Sequence, residues 1–237
     1  MSLNDVVHAV TIFRAPSKEN FEAQMKTLID ELVGLPRFQD SLLKLEMVLQ
    51  NHQFDDHLES YVCPPPEPMV LLEIEAESAG HIAAFMSEVQ AQNKIQGLAS
   101  ITFPVSVYKV FHRDSSVARA DRVRIIWIHK APQQMSNEEY AQKFGIFLKD
   151  YAAVPVVQKN LVGLEEWSTL EGVIHTFGDS PPPPACIGTT EYESWENVDN
   201  IRHEDPLKVV HDAKDDFALN AHACVFVADL VTELDRF

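Results

Sequence analysis

The sequence predicts an α+β fold made of two copies of one unit, and an internal repeat is the main reason. Ala15-Pro16 reappears as Ala131-Pro132, an offset of 116 residues (131 − 15). The segment that begins at Leu35-Pro36 returns as the one that begins at Val154-Pro155, at an offset of 119 (154 − 35), with Pro, Gln, two Leu and Glu recurring in step. A period of this length indicates two copies of a compact unit rather than a solenoid of short repeats.

Composition sets the class of protein and excludes several partners. A chain of 237 residues with 46% hydrophobic content can bury a sizeable core. The net charge of −17 disfavours nucleic acid and anionic membrane surfaces as partners. We find no run of about 20 apolar residues and no signal peptide at the start, so we expect no membrane partner. Cys63, Cys186 and Cys224 are scattered, which is typical of reduced thiols in a cytoplasmic protein.

Each copy begins with a strand followed by a helix. Residues 6–14 and 123–130 are apolar runs rich in β-branched side chains, and both lead into Ala-Pro and a polar helix start. Four apolar positions then recur at i, i+4, i+7 and i+11, which predicts an amphipathic helix in each copy. These positions are Phe21, Met25, Leu28 and Leu32 in the first copy and Tyr140, Phe144, Phe147 and Tyr151 in the second. Pro36 and Pro155 end the two helices.

The rest of each copy follows one order. Strands are predicted at 41–49 and 160–169, proline clusters at 64–68 and 181–184, strands at 69–76 and 186–193, helices at 79–90 and 196–217 (with a break at Pro206), and strands at 100–110 and 221–230. The order is strand-helix-strand-strand-helix-strand, twice, which is the ferredoxin-like βαββαβ pattern.

A sheet with both helices on one face leaves its other face apolar and bare. Two such faces cover each other when they pack together, which explains the pairing of the units. We therefore predict two tandem ferredoxin-like repeats, residues 1–114 and 121–237, packed sheet to sheet, with the boundary in the polar stretch 112–122. Within each repeat we expect the first and third strands to be central, parallel neighbours.

The same residues carry a family resemblance. The run of strand, Ala-Pro and helix, followed by Leu/Val-Pro-x-x-Gln-x-x-Leu-x-x-Leu-Glu, resembles the dimeric α+β barrel superfamily and, within it, the EthD-like proteins of fungi. The resemblance spans both halves and implies a dimeric α+β barrel within one chain. Superfamily members include cofactor-free monooxygenases, polyketide cyclases, lactone isomerases, haem enzymes and stress-response proteins. EthD-like proteins often carry Trp and His in the first helix, where this chain has Phe, Met, Tyr and Leu.

The second copy holds the candidate catalytic pair. His129 lies near the end of its first strand and Glu191 near the end of its third. A histidine beside a buried carboxylate has a pKa near neutrality and a fixed tautomer, as a general base requires. Phe13 occupies the position of His129 in the first copy. We predict His129 as the base and Glu191 as its partner, the alternative being a surface glutamate beside a histidine at a strand end.

The predicted binding site is an aromatic-lined pocket between the sheet and helices of the second copy. Tyr140, Phe144, Phe147 and Tyr151 would suit a flat, apolar or polyketide-like ligand. We add Trp127, Tyr192 and His222 as ligand contacts. Cyclases of the resembling superfamily use strand histidines beside a phenol to enolise polyketides, and His222 has such a position, as has His8.

Three functions remain open. The first is a cofactor-free enolisation, cyclisation or isomerisation of a small apolar or aromatic ligand by general acid/base chemistry. The second is a stress-response or ligand-binding barrel without catalysis. The third is a haem or metal protein, for which His211 is the helical candidate. We predict no cofactor and no metal, because the clusters at 52–57 and 203–205 lack metal-ligand spacing. Association of two chains into a homodimer is left open.

Motif absences remove other enzyme classes. The sequence has no Gly-rich phosphate loop, G-x-S-x-G elbow, Walker segment or H-E-x-x-H. We therefore do not expect a kinase, a dehydrogenase, a serine hydrolase or a zinc protease.

Overall fold

Eight strands close into one antiparallel barrel in the computed structural model of the protein. The structure describes residues 6–17, 19–51, 67–204 and 223–236. Around the barrel the order is β1 (Val7–Arg14), β3 (Met69–Ala76), β2 (Leu42–Asn51), β9 (Ala223–Asp235), β5 (Val123–His129), β8 (Cys186–Tyr192), β6 (Leu161–Thr169) and β4 (Ala99–His112). The barrel closes because β4 also pairs with β1. A short strand, β7 (His175–Phe177), pairs with β4 and has no counterpart in the sequence prediction.

Helices cover the outside of the barrel. They are α1 (Phe21–Val33), α2 (Pro36–Gln39), α3 (Ala79–Gln92), α4 (Asn137–Ala152), α5 (Pro155–Asn160) and α6 (Trp195–Glu204). Ser78 and Ser136 cap α3 and α4 by accepting hydrogen bonds from backbone N–H groups. Pro36 and Pro155 end the long helices as predicted, and each also begins a short second helix, where a proline in the first turn is tolerated.

Every strand pairing in the barrel is antiparallel. The expectation that the first and third strands of each half run parallel is therefore wrong. The reason is that β3 lies between β1 and β2 and pairs with both, and β8 lies between β5 and β6 in the same way. This direction decides which side chains can meet at the site.

Two long strands tie the halves together. β4 pairs with β1 through residues 99–104 and with β6 through residues 105–112. β9 pairs with β5 at its start and with β2 over the rest of its length. Each half therefore completes the sheet of the other.

Side chains alternate between the two faces of each strand, as the pleat requires. One face of the first half packs on α1 and α3, and one face of the second half packs on α4 and α6. The opposite faces meet inside the barrel, where an apolar core includes Ile12, Leu71, Phe103, Ile126 and Phe226. The predicted apolar faces on both sides of the sheet are confirmed.

Several predictions fall outside the described residues. They are His222, His211, Cys63, most of the first proline cluster, the whole cluster at 52–57, and the continuation of α6 beyond Glu204. Within the part of the chain that the structure covers, none of the helices has the length and apolar character needed to cross a membrane.

Candidate functional site

The sheet register separates the predicted catalytic pair. His129 lies opposite Cys186, whereas Glu191 lies opposite Arg124, five residues away along β5 and so about 17 Å distant. His129 also faces α4, where it meets Tyr140, while Glu191 faces the inside of the barrel. The predicted pairing of His129 with Glu191 is therefore wrong, because antiparallel strands place the end of one against the start of the next.

His129 instead pairs with a phenol. Its Nδ1 lies 3.0 Å from the hydroxyl of Tyr140, and the centre of its ring lies 4.3 Å from that of Phe144. The side chain of His129 is 2% exposed, and burial lowers its pKa to about 3, so the imidazole is neutral at physiological pH. Burial also raises the pKa of Tyr140. Among the described residues, the buried Nε2 of His129 has no hydrogen-bond partner.

Two further ionisable groups lie on this face of the sheet. Cys186, opposite His129 on β8, is buried, and burial together with the nearby charge of Glu166 raises the pKa of its thiol. Burial likewise raises the pKa of Glu166, although a hydrogen bond from Ser168 Oγ at 2.9 Å opposes this. Gly145 on α4 makes room for the carboxylate, since a Cβ there would lie 2.6 Å from Glu166 Oε2. We call His129, Tyr140, Glu166 and Cys186 the helix-side cluster.

The first half has apolar residues at all the equivalent positions. Phe13 pairs with Val70 as His129 pairs with Cys186, and Met47 occupies the place of Glu166 in the adjacent strand. Phe21 matches Tyr140 at the helix offset of 119 residues (140 − 21). Phe13, Phe21, Met47 and Val70 are each at most 1% exposed. Sequence reasoning missed Glu166, although a polar residue aligned with an apolar one of the other repeat was a readable signal.

The other predicted ligand contacts form a packed core. The rings of Tyr140, Phe144, Phe147 and Tyr151 stack in sequence, with centroids 6.2–6.3 Å apart. Tyr192 is buried in the same core, where burial raises its pKa and hydrogen bonds with Thr190 and Tyr151 oppose this, and Trp127 is half-buried against it. The structure thus brings these residues together around α4, whereas His222 lies outside the described residues.

A cavity of about 470 Å³ lies inside the barrel, at the end where β1 begins. We call it the barrel cavity. One wall is apolar and comes from β4 and β6: Val105, Val107, Phe111 and Trp167. The other wall is charged and includes Lys44, Glu73, Arg119, Arg122 and Glu191. Of these residues, only Glu191 was predicted as a site residue.

The charged wall is an ion-pair network centred on Arg124, which is 3% exposed. Its guanidinium donates to Glu73 at 3.2 Å and to Glu191. Arg119, from the segment that joins the halves, donates to Glu46 at 2.5 Å. These contacts join residues more than 50 positions apart, which local sequence patterns do not reveal.

The network shifts the pKa values of its carboxyl groups in opposite directions. Burial raises the pKa of Glu73 to about 7, against the opposing charge of Arg124. Burial acts in the same direction on Glu46, but Lys44 and Arg119 outweigh it and lower the pKa to about 2. For Glu191, too, the arginines outweigh burial and lower the pKa. Glu73 is therefore the carboxyl of this network that can exchange a proton near neutral pH.

Among the described residues we find no group of three or more His, Cys, Asp or Glu side chains that could hold a metal ion. The prediction of no cofactor stays a prediction, and His211, the helical candidate for a haem ligand, lies outside these ranges.

No protein-family model and no curated protein matches the sequence. Solved structures do match. An anthrone oxidase-like protein superposes with a TM-score of 0.61 at 10% identity, covering 99% of this chain and 96% of its own. A variant chlorite dismutase from Candidatus Nitrospira defluvii gives a TM-score of 0.52 at 12% identity, covering 96% and 92%.

A Fusobacterium nucleatum protein described as a monooxygenase matches with a TM-score of 0.51 at 8% identity, covering 97% of this chain and 94% of its own. At such identities the likeness concerns the fold alone. The chain therefore shares the α+β barrel fold of these proteins.

Proposed function

We propose that this protein binds a small, largely aromatic or polyketide-like ligand at the helix-side cluster and moves a proton on it without a cofactor, in an enolisation, isomerisation or cyclisation. One observation carries the proposal. The second half holds His129, Tyr140 and Glu166 at positions where the first half holds Phe13, Phe21 and Met47. Burying ionisable groups costs free energy, so a purely structural role would favour the apolar set.

The roles of these residues follow from their pKa values and hydrogen bonds. A pKa of about 3 makes His129 too weak a base for the role predicted from sequence. When Tyr140 donates to Nδ1, the proton of the neutral ring is on Nε2, which can then donate to a ligand carbonyl. A neutral imidazole in this position stabilises a developing enolate oxygen. Glu166, whose pKa burial raises, accepts the proton from the ligand carbon and returns it.

The surroundings suit an aromatic ligand. Phe144 lies against the rings of His129 and Tyr140, and Phe147, Tyr151, Tyr192 and Trp127 belong to the same apolar core. A relative in fold is named as anthrone oxidase-like. Anthrone is a tricyclic aromatic ketone that enolises, so it is the probe we choose.

We expect the protein to accelerate exchange of the anthrone methylene protons in D₂O, measured by NMR. His129→Phe and Tyr140→Phe should each lower the rate about 100-fold, the effect of removing a hydrogen-bond donor to an oxyanion or its supporting partner. Val173→Ala, at a side chain 49% exposed between β6 and β7, is the control and should change nothing. If the unmodified protein binds anthrone without accelerating exchange, the non-catalytic alternative holds. Soret absorbance in the purified protein would instead indicate haem.

We further propose that residues 1–114 and 121–237 are two ferredoxin-like repeats, as their strand orders support: β4-β1-β3-β2 and β9-β5-β8-β6. We expect neither half, expressed alone, to give a stable monomer, because β4 and β9 each lose half of their pairing. Gel filtration and thermal melts of both halves test this. A soluble, cooperatively folding monomer from either half would contradict the shared barrel.

Three finer assignments stay proposals. They are an EthD-like relationship, a cytoplasmic location and a homodimer. The free thiol of Cys186 supports the second of these, since oxidising compartments favour disulfides.

A further inference from the structure

We propose that the barrel cavity is a second ligand site, which takes a small organic acid with its carboxylate on Arg119 and Arg122 and its apolar body against Trp167. This site goes beyond the proposed function. It lies on the opposite face of the sheet from His129, and its residues take no part in the helix-side cluster.

The two arginines are held in place before any ligand arrives. Arg119 donates from Nη1 to Glu46 at 2.5 Å and from Nε to Glu191 at 3.4 Å. Arg122 donates from Nη1 to Glu191 at 3.0 Å and from Nε to the carbonyl of Val117 at 3.1 Å. Within the described residues these bonds leave Nη2 of each arginine for a ligand. Fixed guanidinium groups bind carboxylates well because their donors match the two oxygens and little side-chain entropy is lost.

The carboxylates of the network are already engaged. Both oxygens of Glu191 accept from arginines, and Glu46 contacts Arg119 through one oxygen and Lys44, at 2.7 Å, through the other. These two carboxylates therefore hold the cations in fixed positions. A chain with a net charge of −17 gathers several of its 19 lysines and arginines here, namely Lys44, Lys109, Arg119, Arg122 and Arg124. The four cations of the cavity lining, Lys44, Lys109, Arg119 and Arg122, offset its four carboxylates, Glu73, Glu75, Glu165 and Glu191, so the cavity is close to neutral in an otherwise acidic protein.

The opposite wall suits an aromatic or aliphatic body. Val105, Val107 and Phe111 extend along β4, and Trp167 lies beside them on β6. The indole is held by a hydrogen bond from Nε1 to Glu165 at 3.3 Å. About 470 Å³ lies within the usual range of small-molecule pockets, roughly 300–1,000 Å³. A one- or two-ring carboxylic acid fits this size and this division of polar and apolar walls.

Glu73 gives the site a pH dependence. It contacts Arg124 at 3.2 Å and also senses the charge of Arg119, so an anion bound by Arg119 raises its pKa further. Because that pKa is already about 7, binding should take up a proton and strengthen as pH falls from 8 to 6. The charged groups around Glu73 are Arg124 on β5, Glu191 on β8, Lys44 and Glu46 on β2, His8 on β1, Glu75 on β3 and Arg119.

Calorimetric titration of the full chain with 1-naphthoate and its uncharged amide tests the site. At pH 6 we expect the acid to bind at least about tenfold more tightly than the amide. Arg119→Gln combined with Arg122→Gln should weaken the acid about tenfold and leave the amide unchanged. Val107→Trp fills the cavity and should weaken both ligands, which gives a second test if the double variant does not fold. Arg37→Gln, at an exposed cation on α2, is the control.

Glu73→Gln separates a functional role from a structural one. It should abolish both the proton uptake, measured in two buffers of different ionisation enthalpy, and the loss of affinity between pH 6 and pH 8. His129→Phe should leave naphthoate binding intact. The cavity proposal is therefore tested independently of the proposed function. Equal affinity for acid and amide would overturn the proposal. So would binding that survives both the arginine and the Val107 variants, or no binding at about 10 mM naphthoate.

Discussion

Replacing Arg124 by Met is expected to lower the free energy of unfolding by about 3–5 kcal/mol at pH 8. Arg124 is 3% exposed and holds Glu73 and Glu191 together inside the barrel. Without it, Glu73 is a carboxylate only 14% exposed that has lost the guanidinium it contacts. The loss should be smaller at pH 6, because the pKa of Glu73, already about 7, rises further and the group takes up a proton. Urea melts at the two pH values measure both effects.

Lys143→Met is the matched control, since it removes a cation from an exposed ion pair with Glu139 on α4. It should cost no more than about 0.5 kcal/mol. Adding Glu73→Gln to Arg124→Met should recover a large part of the loss by removing the unpaired charge. If Arg124→Met and Lys143→Met cost the same, the network contributes no more than a surface pair does.

His129→Phe is expected to remove much of the acid sensitivity of the fold. The pKa of His129 is about 3 in the folded protein and about 6.5 in the unfolded chain. Between these values only the unfolded chain binds the proton, so stability is lost as pH falls below 6.5, by about 3 kcal/mol at pH 4. The variant should be less stable than the unmodified protein at pH 7 by about 1–2 kcal/mol, because the hydrogen bond between Tyr140 and His129 is lost. At pH 4 the order should reverse.

Phe144→Leu provides the comparison for packing. It lies against the His129 ring and carries no titrating group, so its loss of stability should be the same at pH 7 and pH 4. Denaturant melts of both variants and the unmodified protein between pH 4 and pH 7 measure these differences. Parallel pH profiles for the His129 variant and the unmodified protein would show that His129 does not titrate as its burial implies.

Much of the fold was predictable because its signals are local or repeated. Apolar periodicity identified α1 and α4, and β-branched runs identified β1 and β5. The repeat of Leu35-Pro36 as Val154-Pro155 indicated the same order of elements in both halves. Strand direction depends on pairing between distant segments, which local patterns do not show. The prediction that β1 and β3 run parallel was therefore wrong.

The candidate site was only partly predictable. His129 and Tyr140 were both predicted as site residues, and their contact follows from a strand and a helix that are neighbours in sequence. Glu191 was assigned to the same site, but the register places it on the other face of the sheet. Arg119 and Arg122 were read as part of a polar boundary, because nothing local indicates that their partners are Glu46 and Glu191.

By itself, then, the sequence determined the eight strands of the barrel and the four longer helices, and that the sheet has two apolar faces. Those properties depend on neighbours within about one turn or one strand. The tertiary structure alone decided the closure through β4 and β9, the separation of His129 from Glu191, and the meeting of Arg124 with Glu73 inside the barrel. Each of these depends on strand register between distant segments, and a shift of one residue would turn every side chain to the opposite face.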